Sequence, residues 1–213
     1  MKGFLFDLDG TLVDTAIDMI AALKILAAEN NIFINPKYTE YKELITFGSR
    51  AIVISIFGHL DNNAILQLQK RYLEIYQNNL SVNSCLFDGV DSFIKKLDKQ
   101  GIPWGIVTNK PEYLAKPLLQ SLSQLQNCQV LIGGDSTNHS KPHPEPINTA
   151  IRSMSINPQK SWYIGDALTD ITAANAANMN SAIALWGYLS KKDNPKTWQA
   201  DKILKHASDL LEL

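Results

Sequence analysis

The chain has 213 residues, of which 45% are hydrophobic and 19% charged, with a formal net charge of -1 at pH 7. This length suits one substantial core with a smaller accessory domain. The near-neutral charge gives no electrostatic basis for binding nucleic acid or anionic lipid, so we expect neither a nucleic-acid nor a membrane partner. Cys85, Cys128 and the four histidines lack metal-ligand spacing, which argues against structural zinc and favours a reducing cytoplasm. No apolar run approaches the roughly 20 residues of a membrane span, and the N-terminus lacks a signal-peptide pattern.

The N-terminal segment, residues 3–8, is a short apolar run that predicts a buried strand. Asp7 and Asp9 stand where that strand ends, and because side chains alternate along a strand, both carboxylates project from one face. Two bare carboxylates so close repel each other unless a cation lies between them. Oxygen ligands of this kind suit Mg2+. The pair therefore indicates a magnesium site at which one aspartate attacks phosphorus and the other transfers a proton.

The next seventy residues are predicted to be almost entirely helical. Apolar residues at helical spacing indicate helices over residues 15–30, 39–46, 49–58 and 62–79. Residues 15–84 therefore form a small helical insert.

From residue 89 onward, helical and strand patterns alternate along the chain. Alternation of this kind predicts an α/β fold, a doubly wound parallel sheet of about five strands with helices on both faces. In such a sheet the site lies beyond the carboxyl ends of the strands. The predicted strands after the first are residues 102–107, 130–132, 162–164 and 182–185, and the predicted helices are 90–99, 111–122, 145–154 and 168–177.

Polar residues follow several of these strands. Thr108 and Asn109 come directly after the second strand, and Asp166 follows the fourth, with Asp170 one helical turn later. Lys141 precedes a proline-rich loop. Each has a simpler interpretation: Thr108 and Asn109 as a helix cap, the two aspartates as a cap and a first-turn acid, the lysine as a solvated side chain. Helix capping does not require acids, a hydroxyl and a lysine at one edge of one sheet, so together they favour a site.

The chain resembles the haloacid dehalogenase superfamily, specifically its phosphatases of the phosphoglycolate phosphatase type. FDLDGTL, VTN, KPHPEP and GDALTD stand where that family has its four motifs, and the match spans nearly the whole chain. The resemblance implies a Rossmann-like core domain formed by residues 1–14 and 85–213. It also implies that residues 15–84 are a helical cap domain. The first, second and fourth strands would then be neighbours at the sheet centre.

The resemblance also implies a role for each motif residue. Asp7 would be the nucleophile that forms an aspartyl phosphate, and Asp9 the acid and base. Thr108, the Asn109 backbone N–H and the catalytic Lys141 would hold the phosphoryl oxygens. The implied ligands of Mg2+ are Asp7, the Asp9 carbonyl, Asp166 and Asp170, the last either directly or through water.

The helical insert contains one candidate for substrate specificity, the loop at residues 46–50. Gly48, Ser49 and Arg50 open a predicted helix, and an arginine there opposes the helix dipole. An anionic substrate group would offset that penalty, since helix N-termini and arginine both attract carboxylate. The alternative is a solvated arginine, and the residues alone leave both possibilities open.

We therefore expect a cytoplasmic enzyme, monomeric or homodimeric, that uses Mg2+ to hydrolyse a small-molecule phosphate ester. The leading substrate is 2-phosphoglycolate or a similar small acidic phosphomonoester. Asp9 favours phosphate esters, because their leaving group must be protonated. Two alternatives remain: a sugar phosphomutase of the same superfamily, and a catalytically silent binding protein with the same fold.

Overall fold

In the computed structural model, residues 1–39 and 41–213 are described with their side chains, and residue 40 by its backbone alone. The chain divides into two compact units. The larger comprises Met1–Asp14 and Cys85–Leu213, and the smaller comprises Thr15–Ser84.

The larger unit is built on a six-stranded parallel sheet, and the order of its strands is β5 (Leu131–Ile132), β4 (Trp104–Val107), β1 (Phe4–Phe6), β6 (Trp162–Gly165), β7 (Asn180–Ala184) and β8 (Lys202–Leu204). The predicted α/β class and parallel sheet are confirmed, as is the central position of the first, second and fourth predicted strands. Two further strands, β2 (Val13–Asp14) and β3 (Cys85–Leu86), lie outside this sheet.

The central strands are buried on both faces, because helices cover both sides of a parallel sheet. Every residue of β1 and β4 is buried. Phe4 and Phe6 pack edge-on against Phe93, with ring centroids 5.2 and 6.2 Å apart. The helices of this unit are α5 (Val90–Gln100), α6 (Glu112–Ser121), α7 (Glu145–Met154) and α8 (Leu168–Ala176).

Two features of the larger unit are absent from the sequence prediction. The sixth strand, β8, adds to the predicted five, and its three residues between polar neighbours carry no clear alternation. Strands β2 and β3 pair antiparallel as a separate two-residue ribbon, with Val13 opposite Leu86 and Asp14 opposite Cys85. Such short strands are specified by pairing rather than by periodicity.

The smaller unit is entirely helical and consists of α1 (Ala16–Glu29), α2 (Tyr38–Ile45), α3 (Gly48–Phe57) and α4 (Asn62–Asn78). Tyr72 of α4 is fully buried, and its hydroxyl donates to the Met19 carbonyl of α1 at 3.1 Å. Asp18 is also buried. It accepts hydrogen bonds from the backbone and side chains of Asn83 and Ser84 at 2.6–3.0 Å, so it joins the two ends of the unit.

Among the residues that the structure describes, no single helix has the length and apolar character of a membrane span. One consecutive pair, α3 with α4, meets that criterion jointly, by length and composition, across a bend of 117°.

Candidate active site

The site begins where β1 ends. Asp7 directly follows Phe6, and its backbone N–H donates to the Ile164 carbonyl of β6 at 2.8 Å, which anchors the aspartate at the carboxyl edge of the sheet. Lys141 reaches the same place from the loop between β5 and α7. Its Nζ lies 2.9 Å from Asp7 Oδ1. The first and third predicted motifs are therefore brought into contact.

Lys141 is held by several groups at once. Its Nζ contacts Asp170 Oδ1 at 2.6 Å, and it donates to the Tyr163 hydroxyl at 2.8 Å and the Val107 carbonyl at 2.9 Å. Burial lowers the pKa of Lys141, but the nearby carboxylates of Asp170 and Asp7 outweigh it, so the pKa is raised. Lys141 therefore remains an ammonium ion although it is only 3% exposed.

Asp170 is both a residue of the site and an acid in the first turn of a helix, the two interpretations that the sequence suggests. One oxygen binds Lys141, and the other accepts the Ala167 N–H at 3.0 Å, as an acid in the first turn of α8 does. Tyr163 Oη also lies 3.1 Å from Asp170 Oδ1. The sequence did not identify Tyr163 as a site residue, because a tyrosine inside a buried strand is most often packing.

Asp166 is the second buried acid of the fourth motif. It accepts hydrogen bonds from Thr11 Oγ1 at 2.8 Å and from the Tyr188 N–H at 2.7 Å. Burial, followed by repulsion from Asp7 and Asp170, raises its pKa well above the ordinary value. A proton or a cation must therefore compensate this carboxylate.

Three aspartates converge closely enough to share one ion. Asp7, Asp166 and Asp170 each offer a carboxylate oxygen, and these atoms all lie within 4.8 Å of one another. Burial raises the pKa of Asp7 to about 6, with Lys141 opposing that shift and Asp170 adding to it. Asp7 Oδ1 is buried, and no side chain described in the structure donates an aligned hydrogen bond to it, although Lys141 is within ion-pair distance. An oxygen in this state fits a cation.

Asp9 is paired with a residue that the sequence did not identify as part of the site. Lys110 Nζ lies 2.9 Å from Asp9 Oδ1, and the lysine side chain is 5% exposed. With Asp7, Asp166 and Asp170, the site contains four carboxylates against the two ammonium groups of Lys110 and Lys141. Two negative charges remain when all are ionised, which a divalent cation would neutralise.

Thr108 and Asn109 follow β4 at the same edge of the sheet. Thr108 is buried, and its hydroxyl oxygen accepts the Lys110 N–H at 3.2 Å. The Asn109 side chain donates to the Lys141 carbonyl at 2.9 Å and accepts the Lys141 N–H at 3.0 Å. This reciprocal pair ties the second motif to the third. It is a role for the asparagine side chain that the sequence did not predict.

The loop after β1 approaches Asp166 very closely. Gly10 has φ +84°, which favours glycine, and a Cβ there would also collide with the Asp166 carboxylate. A Cβ on Gly187 would meet the same aspartate. Trp186 Nε1 donates to the Thr11 carbonyl at 3.0 Å, which joins residues 186–188 to the first motif.

The three specificity candidates begin α3 in the helical unit. Arg50 donates to Asn62 Oδ1 at 2.9 Å, and Ser49 Oγ accepts from Gln69 at 2.8 Å. Gly48 has φ +79°, and a Cβ added there would meet no atom within 4 Å. Their contact with substrate stays a prediction.

Two histidines that look unrelated in the sequence lie side by side. The rings of His139 and His143 stack with centroids 4.2 Å apart, and His139 Nδ1 is 2.8 Å from Glu145 Oε2. The sequence shows no metal-ligand spacing among the histidines, but a turn in which the His143 N–H donates to the Ser140 carbonyl at 3.0 Å brings these two rings together. Both histidines are exposed.

Comparisons with known proteins agree with this geometry. The family model of haloacid dehalogenase-like hydrolases matches residues 4–184. A phosphoglycolate phosphatase of Xanthomonas campestris pv. campestris is 41% identical over 213 residues, covering 99% of this chain and 95% of its own. An N-acetylmuramic acid 6-phosphate phosphatase of Pseudomonas aeruginosa is 36% identical over 216 residues, covering 100% of this chain and 94% of its own.

The fold has close structural counterparts. A structure described as a predicted phosphoglycolate phosphatase of Haemophilus somnus superposes with a TM-score of 0.88 at 24% identity, covering 100% of this chain and 97% of that one. The predicted resemblance, and the prediction of an enzyme similar to phosphoglycolate phosphatases, are confirmed. The chain belongs to the haloacid dehalogenase-like hydrolase family.

Proposed function

We propose that the protein is a Mg2+-dependent phosphomonoester hydrolase that works through an aspartyl phosphate on Asp7. The observation that carries the proposal is the convergence of Asp7, Asp166 and Asp170 within 4.8 Å, with the buried ammonium of Lys141 2.9 Å from Asp7. Acids gathered in this way are costly in a merely structural site.

The site carries excess negative charge, and Asp7 Oδ1 accepts no aligned hydrogen bond from the described residues. Both features fit a hard divalent cation. The residues that would hold it are Asp7, the Asp9 carbonyl and Asp166, with Asp170 direct or through water. When bound, Mg2+ supplies electrostatic stabilisation of charge on the phosphoryl oxygens. Since Asp170 Oδ1 already binds Lys141 at 2.6 Å, we favour the water-mediated arrangement for Asp170.

The chemistry then consists of two displacements at phosphorus. A carboxylate oxygen of Asp7 attacks phosphorus, the bond to the ester oxygen breaks, and Asp9, which starts the cycle protonated, gives that oxygen its proton. In the second step Asp9 takes a proton from water as the water oxygen attacks phosphorus. The bond between Asp7 and phosphorus breaks, and inorganic phosphate leaves.

Three groups would hold the phosphoryl oxygens during both steps. Lys141 supplies a fixed ammonium, Thr108 a hydroxyl and Asn109 a backbone N–H. Their preorganisation is supported by the Asn109–Lys141 hydrogen-bond pair and by the four groups around Lys141 Nζ. The helical unit would act as the cap, with Arg50 available to an anionic substrate group.

The leading substrate is 2-phosphoglycolate, which the 41% identical relative from Xanthomonas campestris supports by name. N-acetylmuramic acid 6-phosphate is the second candidate, because a 36% identical relative carries that name over the whole chain. Both compounds carry a phosphate ester on an alcohol oxygen and a separate carboxylate.

The test is phosphate release from a panel of small acidic, sugar and nucleotide monophosphates, with Mg2+ and after its removal by chelation. We expect Mg2+-dependent release that is fastest with an acidic ester. A mutase would instead yield an isomer without free phosphate. Metal-independent turnover, or none with any ester, would contradict the proposal.

A further inference from the structure

Lys110 is a buried cation of the site for which the proposed chemistry has no use. It follows Thr108 and Asn109 directly, its side chain is 5% exposed, and its Nζ lies 2.9 Å from Asp9 Oδ1. Lysine is almost never buried to this degree unless it is paired. Lys110 is therefore not a solvated surface lysine, and its burial beside Asp9 suggests a role in the site.

The two buried lysines pair with different acids of the site. Lys141 contacts Asp7, the acid that faces phosphorus in the proposed chemistry. Lys110 contacts Asp9, the acid that faces the ester oxygen. Since Asp9 must reach that oxygen, an ammonium within one hydrogen bond of Asp9 lies on the alcohol side of the substrate.

We propose that Lys110 binds a carboxylate on the carbon that carries the ester oxygen, and so makes the larger unit itself select small acidic phosphomonoesters. This inference rests on the proposed function and deepens it by naming the substrate group that the enzyme recognises, a carboxylate. In 2-phosphoglycolate the carboxylate is attached to that carbon. In N-acetylmuramic acid 6-phosphate the carboxylate is remote from the phosphate ester. Lys110 would therefore favour 2-phosphoglycolate over this second candidate substrate.

Charge balance gives the reason why an acid would be preferred over a neutral ester. When Asp9 acts as the acid toward the ester oxygen it holds a proton, so it no longer offers Lys110 a full negative charge, and a buried ammonium with a weakened anionic partner is unfavourable. A substrate carboxylate replaces that partner, whereas a neutral alcohol group does not. Selectivity then has two sources. An acidic substrate forms a new ion pair with Lys110, whereas a neutral ester leaves the buried ammonium with a weakened partner.

A purely structural role for Lys110 makes a different prediction. If the lysine only neutralises Asp9, its loss slows acidic and neutral esters alike, because both need Asp9. The ratio of kcat/KM for an acidic ester to kcat/KM for a neutral ester of the same size therefore separates the two roles.

The experiment compares 2-phosphoglycolate with 2-hydroxyethyl phosphate in the wild type, Lys110→Met and Lys110→Arg, each checked for folding by circular dichroism. We expect Lys110→Met to lower the acid-to-neutral ratio by about 10- to 100-fold, the scale of a lost charge-assisted hydrogen bond. Lys110→Arg keeps the charge and should retain more of the ratio than Lys110→Met. Arg50→Ala is measured alongside as a competing candidate, since Arg50 is the other residue proposed to bind the substrate acid.

A binding measurement on the wild type keeps the inference testable if Lys110→Met does not fold. The probes are 3-phosphonopropionate, in which a methylene replaces the ester oxygen of 2-phosphoglycolate, and propylphosphonate, which lacks the carboxylate. We expect inhibition by the acidic probe to be at least about tenfold tighter. Equal inhibition would overturn the inference.

The remaining outcomes are also decisive. A ratio that is unchanged in Lys110→Met, or that collapses only in Arg50→Ala, overturns the role of Lys110 while leaving the phosphatase proposal standing. If the wild type releases phosphate from neither ester, the proposed function fails and this inference fails with it.

Discussion

The sheet-edge site of the larger unit and the candidate specificity loop of the helical unit carry their polar side chains in opposite ways. In the larger unit the acids and lysines at the sheet edge are buried and in contact, as in the pairs of Lys141 with Asp170 and Lys110 with Asp9. In the helical unit the candidate specificity loop is open, with Phe47 65% exposed and Arg50 bonded to Asn62. Buried contacts preorganise a reaction, whereas an exposed loop can change without loss of the fold.

The comparison implies that substitutions in the sheet-edge site alter chemistry or stability strongly, and that those in the loop alter substrate preference modestly. Four predictions test it, beginning with the largest effect.

Asp7→Asn should abolish turnover, by about 10^4-fold or more in kcat, while the fold persists. The amide lacks the negative charge needed to attack phosphorus but matches the carboxylate in size. Phosphate release and circular dichroism measure the two effects. The matched control is Asp88→Asn, an exposed aspartate of the same unit. Retained activity in Asp7→Asn would exclude this residue as the nucleophile.

Lys141→Met should lower the free energy of unfolding by about 3–5 kcal/mol, since it leaves the buried Asp170 and Asp7 carboxylates without their cation. Lys95→Met is the comparison, because Lys95 also pairs with an aspartate, at 2.7 Å, but is 70% exposed. That exposed pair should contribute no more than about 0.5 kcal/mol. Denaturant titration measures both, and equal losses would refute the distinction between buried and exposed pairs.

Without Mg2+, stability should fall as the pH rises from about 4 to about 6.5. Burial raises the pKa of Asp7 from 3.8 to about 6, so the native state binds a proton that the unfolded state has already released in this window. The raised pKa of Asp166 acts with the same sign.

Adding Mg2+ should offset this loss, since a cation stabilises the ionised acids and binds the native state. Thermal unfolding at pH 4.5 and 6.5, with Mg2+ and with chelator, tests the prediction. A midpoint that rises with pH in chelator would contradict it.

Arg50→Ala should raise KM for an acidic ester by about tenfold or less and leave a neutral ester little affected, as expected for one charged contact near a helix start. Arg71→Ala serves as the control, because Arg71 lies in the same helical unit and pairs with Glu29 at 2.6 Å. An equal effect of Arg50→Ala on both esters would remove its role in specificity.

The residue pattern was sufficient to predict much of this architecture. Alternation of helix and strand after residue 89 is a local property, so the parallel sheet and the edge at which Asp7, Thr108 and Asp166 gather follow from it. The helices of residues 15–84 follow equally from apolar spacing. The family motifs then predicted which side chains at that edge belong to the site.

Tertiary structure alone decided which of these groups touch. Neither Lys110 nor Tyr163 was predicted to belong to the site, yet Lys110 contacts Asp9 and Tyr163 contacts Lys141. Asp18 lies in the first turn of α1 and also binds Asn83 and Ser84, 65 and 66 residues away in the chain. Periodicity reports which face of an element is buried. It does not report which buried polar group will pair with which, since that depends on contacts between residues far apart in sequence.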